Sequence, residues 1–156
     1  MTHAELVQVA AKWLRARCAV VITEMTSGAA EQPDAIGFNS YVSTLVECKT
    51  SRADFFADRK KLSRMGYYRY YLTAPGLLQI SDIPEGWGLL EVDGRGVTIV
   101  HDPPRNVAID DRDIGGELSL LVSCFRRLGK LRQECCVSVK YYTYVTKNRA
   151  TLGVAE

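Results

Sequence analysis

Three residues of this sequence have types and spacing that could act together on a phosphodiester. Asp34 follows Pro33, and after twelve intervening residues Glu47 and Lys49 lie two apart. Side chains two apart on a strand share a face, so Glu47 and Lys49 would point one way and Val46 and Cys48 the other, into the core. A tight turn at Asn39-Ser40 would fold a strand Asp34–Phe38 back on a strand Tyr41–Lys49 and bring Asp34 to the Glu47 end. Two carboxylates and one ammonium then converge on one patch. Two carboxylates suit Mg²⁺, which takes oxygen ligands in an octahedron at about 2.0–2.1 Å, and the backbone carbonyl of Cys48 could add a third oxygen. Such an ion polarises a phosphodiester and favours loss of a proton from a bound water. Lys49 would orient or activate that water and stabilise the charge that develops in the transition state.

A plainer reading competes with this one. Glu-x-Lys is common on exposed strands, where it is a solvated ion pair worth roughly 0–1 kcal/mol. Context favours the chemical reading, because Leu45-Val46 makes the approach apolar and Pro33-Asp34 lies one hairpin upstream.

The elements that must position these residues can be read in order. Thr2 and Glu5 form a capping-box pattern, and Leu6, Val9, Ala10 and Trp13 recur at helical spacing behind it. Cys18 to Thr23 is a short apolar, β-branched strand, and Ser27 to Pro33 is a loop. After the hairpin, Thr50-Ser51 can cap a helix from Arg52 to about Met65, closed by Gly66. Tyr67–Leu72 reads as a fourth strand, and Asp93-Gly-Arg-Gly96 as the turn between strands Trp87–Val92 and Val97–Val100. From Glu117, an amphipathic helix presents Leu118, Leu121, Val122, Phe125 and Leu128, and alternation from Val137 to Val145 hints at a last strand. The expectation is an α/β fold with a mixed β-sheet flanked by helices and a C-terminal helical addition.

Length and composition fit that picture. The 156 residues suit one domain, and 47% hydrophobic with 24% charged residues is ordinary for a globular protein. No apolar run approaches the roughly eighteen residues that a membrane span needs, and the N-terminus has no secretory pattern. Five cysteines without regular spacing point to reduced thiols and a cytoplasmic setting. Cys18, Cys48 and Cys124 read as core thiols, Cys135-Cys136 lack metal-ligand spacing, and His3 and His101 read as too isolated for a histidine-based site.

Taken together, Pro33-Asp34, Glu47-Cys48-Lys49 and the order α-β-β-β-α-β resemble the PD-(D/E)xK nuclease superfamily. The run Glu47 to Phe55 followed by Asp58-Arg59-Lys60-Lys61 resembles the MmcB-type DNA-repair and phage branch, and Tyr68–Leu72 and Ile83–Gly88 resemble segments that follow the core there. The likeness covers about residues 2–102, leaving about 103–156 as an extension. It implies a restriction-endonuclease-like core with Asp34 and Glu47 as metal ligands and Lys49 as the catalytic lysine. It also implies a further acid, for which Glu5 and Glu24 compete. Glu5 has an equally good role in the helix cap, and Glu24 equally reads as a strand-end surface charge.

The net charge of +2 hides a local excess. Seven basic residues between Lys49 and Tyr71 face only Asp54 and Asp58, and a second basic stretch runs from Arg126 to Arg149. Cations beside a carboxylate site are what phosphate backbones require, and Arg52, Arg59, Lys60 and Arg69 are the expected DNA contacts. A solvated helix face explains any one of them as well. Tyr67–Tyr71 reads as core filling, whereas Tyr141–Tyr144 fits either a base-stacking surface or an edge strand in a homodimer. The expected function is Mg²⁺- or Mn²⁺-dependent DNA hydrolysis in repair, recombination or phage biology. The alternatives are a non-catalytic nucleic-acid-binding protein that keeps the fold, and an assembly protein in which Glu47 and Lys49 merely pair.

Overall fold

Thr2 and Glu5 close the capping box that their spacing predicts, in a computed structural model that describes residues 1–29, 31–58, 64–103, 112–128 and 137–139. Glu5 N–H donates to Thr2 Oγ1 at 3.3 Å and Thr2 N–H to Glu5 Oε2 at 2.6 Å, which satisfies two donors that a helix start leaves open. The helix α1 (His3–Arg15) then buries Leu6, Val7, Ala10, Ala11, Trp13 and Leu14.

Seven strands follow: β1 (Val20–Thr23), β2 (Ala35–Phe38), β3 (Ser43–Cys48), β4 (Tyr68–Thr73), β5 (Trp87–Asp93), β6 (Gly96–His101) and the short β7 (Val137–Val139). They form one sheet in the order β6-β5-β4-β3-β2-β1-β7. β4 runs parallel to β3 and β5 parallel to β4, while the other neighbours are antiparallel. Helix α2 (Arg52–Asp58) lies between β3 and β4 in the chain, and α3 (Ile114–Leu128) follows β6. The chain is α/β, with a mixed sheet flanked by helices, a restriction-endonuclease-like core and a C-terminal helical addition.

Alternation along the strands feeds two cores. Val21, Ala35, Val46, Cys48, Tyr70, Leu72 and Leu90 pack with α1, while Ile22, Ile36, Leu45, Tyr71 and Leu89 pack on the opposite face with Phe55 of α2 and Leu120 and Cys124 of α3. The core-filling reading of the tyrosine run therefore holds for β4, where Tyr70 meets Trp13 edge-on and Tyr71 stacks on Trp87. At Gly37 the segment after α1 comes so close that an added Cβ would sit 2.5 Å from Cys18 Sγ, with Leu14 of α1 at 3.2 Å. Cys18, Cys48 and Cys124 are buried free thiols, as expected.

Two expectations about helices are corrected. Arg64 and Met65 are not helical, because the backbone here is claimed elsewhere: Arg64 O accepts from Asp113 N–H and Arg69 Nη2, and the next residue, Gly66, at φ +88°, donates its N–H to Glu117. Helix α3 also turns differently from its apolar pattern. Leu118 and Phe125 are mostly exposed, and the buried stripe is Glu117, Leu120 and Cys124. The cause is the Glu117 carboxylate. It accepts from Ser43 Oγ at 3.0 Å, Gly66 N–H at 2.8 Å and the Arg112 guanidinium at 2.9 and 2.7 Å, and this anchor sets the helix rotation.

No helix among the described residues is long and apolar enough to cross a membrane. Removing one partner from a buried charged network leaves the others unsatisfied, so Glu117→Ala should cost roughly 3–5 kcal/mol in urea unfolding. A loss below about 1 kcal/mol, the range of an exposed ion pair, would contradict the anchoring role.

Candidate active site

The hairpin register decides where the acidic residues meet. Ala35 pairs with Val46, so one step further along, Asp34 lies across from Glu47. Ile36 and Leu45 belong to the core on the α2 side, and by alternation Asp34, Glu47 and Lys49 take that same face. The structure thus brings the three expected residues together. They stand where β3 ends beside its parallel neighbour β4, the end of a parallel strand at which α/β folds place their sites.

Each carboxylate has a distinct environment. Asp34 Oδ2 accepts the Cys48 backbone N–H at 2.7 Å. Burial still raises the Asp34 pKa, against the opposing pull of that bond and of His3 and Lys49, while Glu24 pushes it further up. Glu47 is pushed up to about 8, first by burial and then by the charge of Asp34 across the hairpin, with Lys49 and the Asp34 backbone N–H offsetting only part of it. Two half-buried carboxylates, both raised by burial and Glu47 raised further by Asp34, form a site short of positive charge.

Lys49 does not make good that shortage. Its side chain is 6% exposed, and its ammonium sits 2.6 Å from Asp58 Oδ2 at the end of α2. Burial pulls the Lys49 pKa down, but the bond to Asp58 and the charges of Asp54, Asp58 and Glu47 together raise it. Lys49 is therefore a firmly protonated cation. α2 is placed to hold Asp58 there because Ser51 Oγ accepts the Asp54 N–H at 3.1 Å and starts the helix directly after Lys49.

Other expected site residues fare differently. Glu5 is bound into the α1 cap, and it is Glu24 whose charge acts on Asp34. Glu24 holds φ at +45°, a left-handed conformation uncommon outside glycine and often found at functional sites. Arg69, expected on DNA, is buried at 8% exposure, its Nε and Nη2 donating to Gly66 O and Arg64 O. A guanidinium on a strand between two cores had to find internal partners. Arg52 is also engaged, by a two-pronged pair with Asp82 at 2.7 and 3.1 Å and a bond to Leu77 O. Arg59 and Lys60 lie outside the described residues, as does Tyr141–Tyr144. His3, which read as isolated, is corrected: its Nε2 lies 3.3 Å from Asp34 Oδ1 and 3.8 Å from Glu24 Oε1. Only the path of α1 across the sheet brings it there.

Known proteins add one comparison. No family model matches the chain, and no curated protein matches it. The fold is similar to that of a solved protein of unknown function from Silicibacter pomeroyi, with a TM-score of 0.62 and 25% identity over 85% of this chain and 93% of that one. That likeness bears on the fold and carries no activity with it.

The donor set suits a divalent cation. Asp34 and Glu47 offer carboxylate oxygens, and the Cys48 carbonyl, on the same side of an extended strand as its N–H, faces the Asp34 edge. Among the described residues, no group of three or more His, Cys, Asp or Glu side chains is placed so that it could hold a metal ion without rearrangement. The raised Glu47 also dictates a pH dependence. A carboxyl raised from 4.5 to about 8 gives its full stabilisation below the lower value and loses it as pH climbs to the upper one. Glu47→Gln should therefore gain on the parent protein as pH rises, by roughly 1–3 kcal/mol at alkaline pH in metal-free melts. A difference that stays flat between acid and alkaline pH would contradict the shift.

Proposed function

We propose that this protein is a Mg²⁺- or Mn²⁺-dependent deoxyribonuclease of the PD-(D/E)xK type, acting on branched, damaged or otherwise structured DNA in repair, recombination or phage biology. One observation carries the reading: Asp34 and Glu47 face each other across a hairpin, each raised by burial, with Glu47 driven further by the charge of Asp34, beside a protonated Lys49. The structural cost of such a pair is explained by a cation that both carboxylates hold. A solvated Glu47–Lys49 pair does not account for it, since Lys49 bonds to Asp58.

Asp34 and Glu47, with the Cys48 carbonyl, would hold the ion. When bound, it supplies Lewis acidity toward the scissile phosphate and toward an attacking water. Lys49 contributes positive charge at the phosphate, orienting the water and stabilising the negative charge that grows on the non-bridging oxygens. Its raised pKa makes it a charge stabiliser rather than a proton acceptor. Water oxygen bonds to phosphorus as its proton passes to solvent, the bond to the leaving sugar oxygen breaks, and that oxygen ends protonated by solvent. The buried free thiols Cys18, Cys48 and Cys124 support a reducing, cytoplasmic setting.

The test is incubation of nicked, branched and single-stranded DNA with Mg²⁺ or Mn²⁺, with and without chelator. Cleavage should require the metal and fall about 100-fold or more in Lys49→Ala, the scale of losing one transition-state charge contact. Cleavage that survives in Lys49→Ala would sink the assignment. Salt-sensitive DNA retention without hydrolysis would point instead to a nucleic-acid-binding protein that keeps the nuclease fold.

A further inference from the structure

The reading above leaves His3 and Glu24 without a task, although both reach the Asp34 carboxylate region. His3 is the first residue of α1, and the capping box on either side of it fixes its backbone at the helix start. Glu24 follows β1 in its left-handed conformation, braced by its N–H to Asp34 O at 3.1 Å and by Gln32 Nε2 to its carbonyl at 2.9 Å. Three elements, α1, the end of β1 and the start of β2, thus deliver an imidazole and two carboxylates to one spot.

The spacing fits a shared ion. Ligand atoms about 2.1 Å from an octahedral ion are separated by about 3.0 Å when adjacent and about 4.2 Å when opposite. His3 Nε2 stands 3.3 Å from Asp34 Oδ1, close to the adjacent spacing, and 3.8 Å from Glu24 Oε1, which must move by a few tenths of an ångström to reach either spacing. The side chains of His3 and Glu24 are 45% and 50% exposed, so small rotations can close them on an ion that Asp34 already faces. Nε2 is also the nitrogen turned toward the carboxylates, the atom a metal would take.

We propose that His3 Nε2 and Glu24 are ligands of the divalent cation together with Asp34, so that α1 contributes an imidazole to the site rather than the Glu5 carboxylate. This rests on the metal-dependent reading of the same site. An imidazole among oxygen ligands shifts preference from Mg²⁺ toward transition ions, with Mn²⁺ favoured over Mg²⁺.

The experiment is Mn²⁺ binding to the full chain, followed by pulsed electron paramagnetic resonance and by calorimetry, with folding of each variant checked by circular dichroism. Bound Mn²⁺ should show a nitrogen hyperfine coupling that His3→Ala removes. Mn²⁺ affinity should fall about 10-fold or more in His3→Ala and in Glu24→Gln, while Mg²⁺ affinity changes less in His3→Ala. A nitrogen coupling absent from the parent protein, or persisting in His3→Ala, overturns the histidine ligation. If Asp34→Asn then still abolishes Mn²⁺ binding, the metal-dependent reading stands without it. Mn²⁺ binding that is absent, or indifferent to Asp34→Asn, overturns both.

Discussion

Cys48 closes β3 two residues past Val46, the last that pairs with β2, and the Asp34 side chain accepts its N–H at 2.7 Å. The rest of the site depends on that bond. It satisfies a buried donor, ends the hairpin, and fixes the Asp34 carboxylate on the sheet edge beside Glu47. Register matters for the same reason, because a slip by one residue would turn Glu47 and Lys49 to the α1 side and bring Cys48 to the α2 side. β3 is held at its other end as well, where Ser43 Oγ donates to Glu117. The strand that carries Glu47 is pinned at both ends by a carboxylate from outside it.

Those two carboxylates make opposite contributions. Glu117 is buried but fully engaged, and the Arg112 guanidinium, with its own pKa raised chiefly by the bond to Glu117, balances its charge. Glu47 is half-buried opposite Asp34 and poorly balanced, so it costs stability when ionised. One end of β3 thus stabilises the fold while the other stores electrostatic strain, the pattern expected where a ligand is meant to supply missing charge.

Local patterns were readable in the sequence because they are local. Alternation placed the strands, the Thr2–Glu5 spacing placed the first cap, and the distance from Asp34 to Glu47 matched a hairpin. The rotation of α3 was not readable, since a widely spaced apolar stripe lost to one carboxylate whose partners Ser43, Gly66 and Arg112 are scattered along the chain. Arg69 misled because charge in a sequence suggests solvent, whereas a cation on the buried strand β4 finds nearby carbonyls. His3 was missed for the converse reason. Its partners Glu24 and Asp34 are more than twenty residues away, and no spacing rule connects a helix start to a hairpin edge.

The partner that Lys49 chooses has consequences for which ligand the site will accept. Had its ammonium paired with Glu47, the two would have neutralised each other and Asp34 would have stood as a single carboxylate, enough only for a weakly held ion. Its bond to Asp58 instead leaves Asp34 and Glu47 facing each other with their repulsion only partly offset. A monovalent cation or a proton relieves one charge, while a divalent cation relieves both at once and restores ligand bonds to carboxylates that burial has stripped of water. Asp58 therefore does two things from one position. It keeps Lys49 protonated, and by drawing the ammonium away from Glu47 it leaves the carboxylate pair with the charge that the proposed divalent ion would relieve.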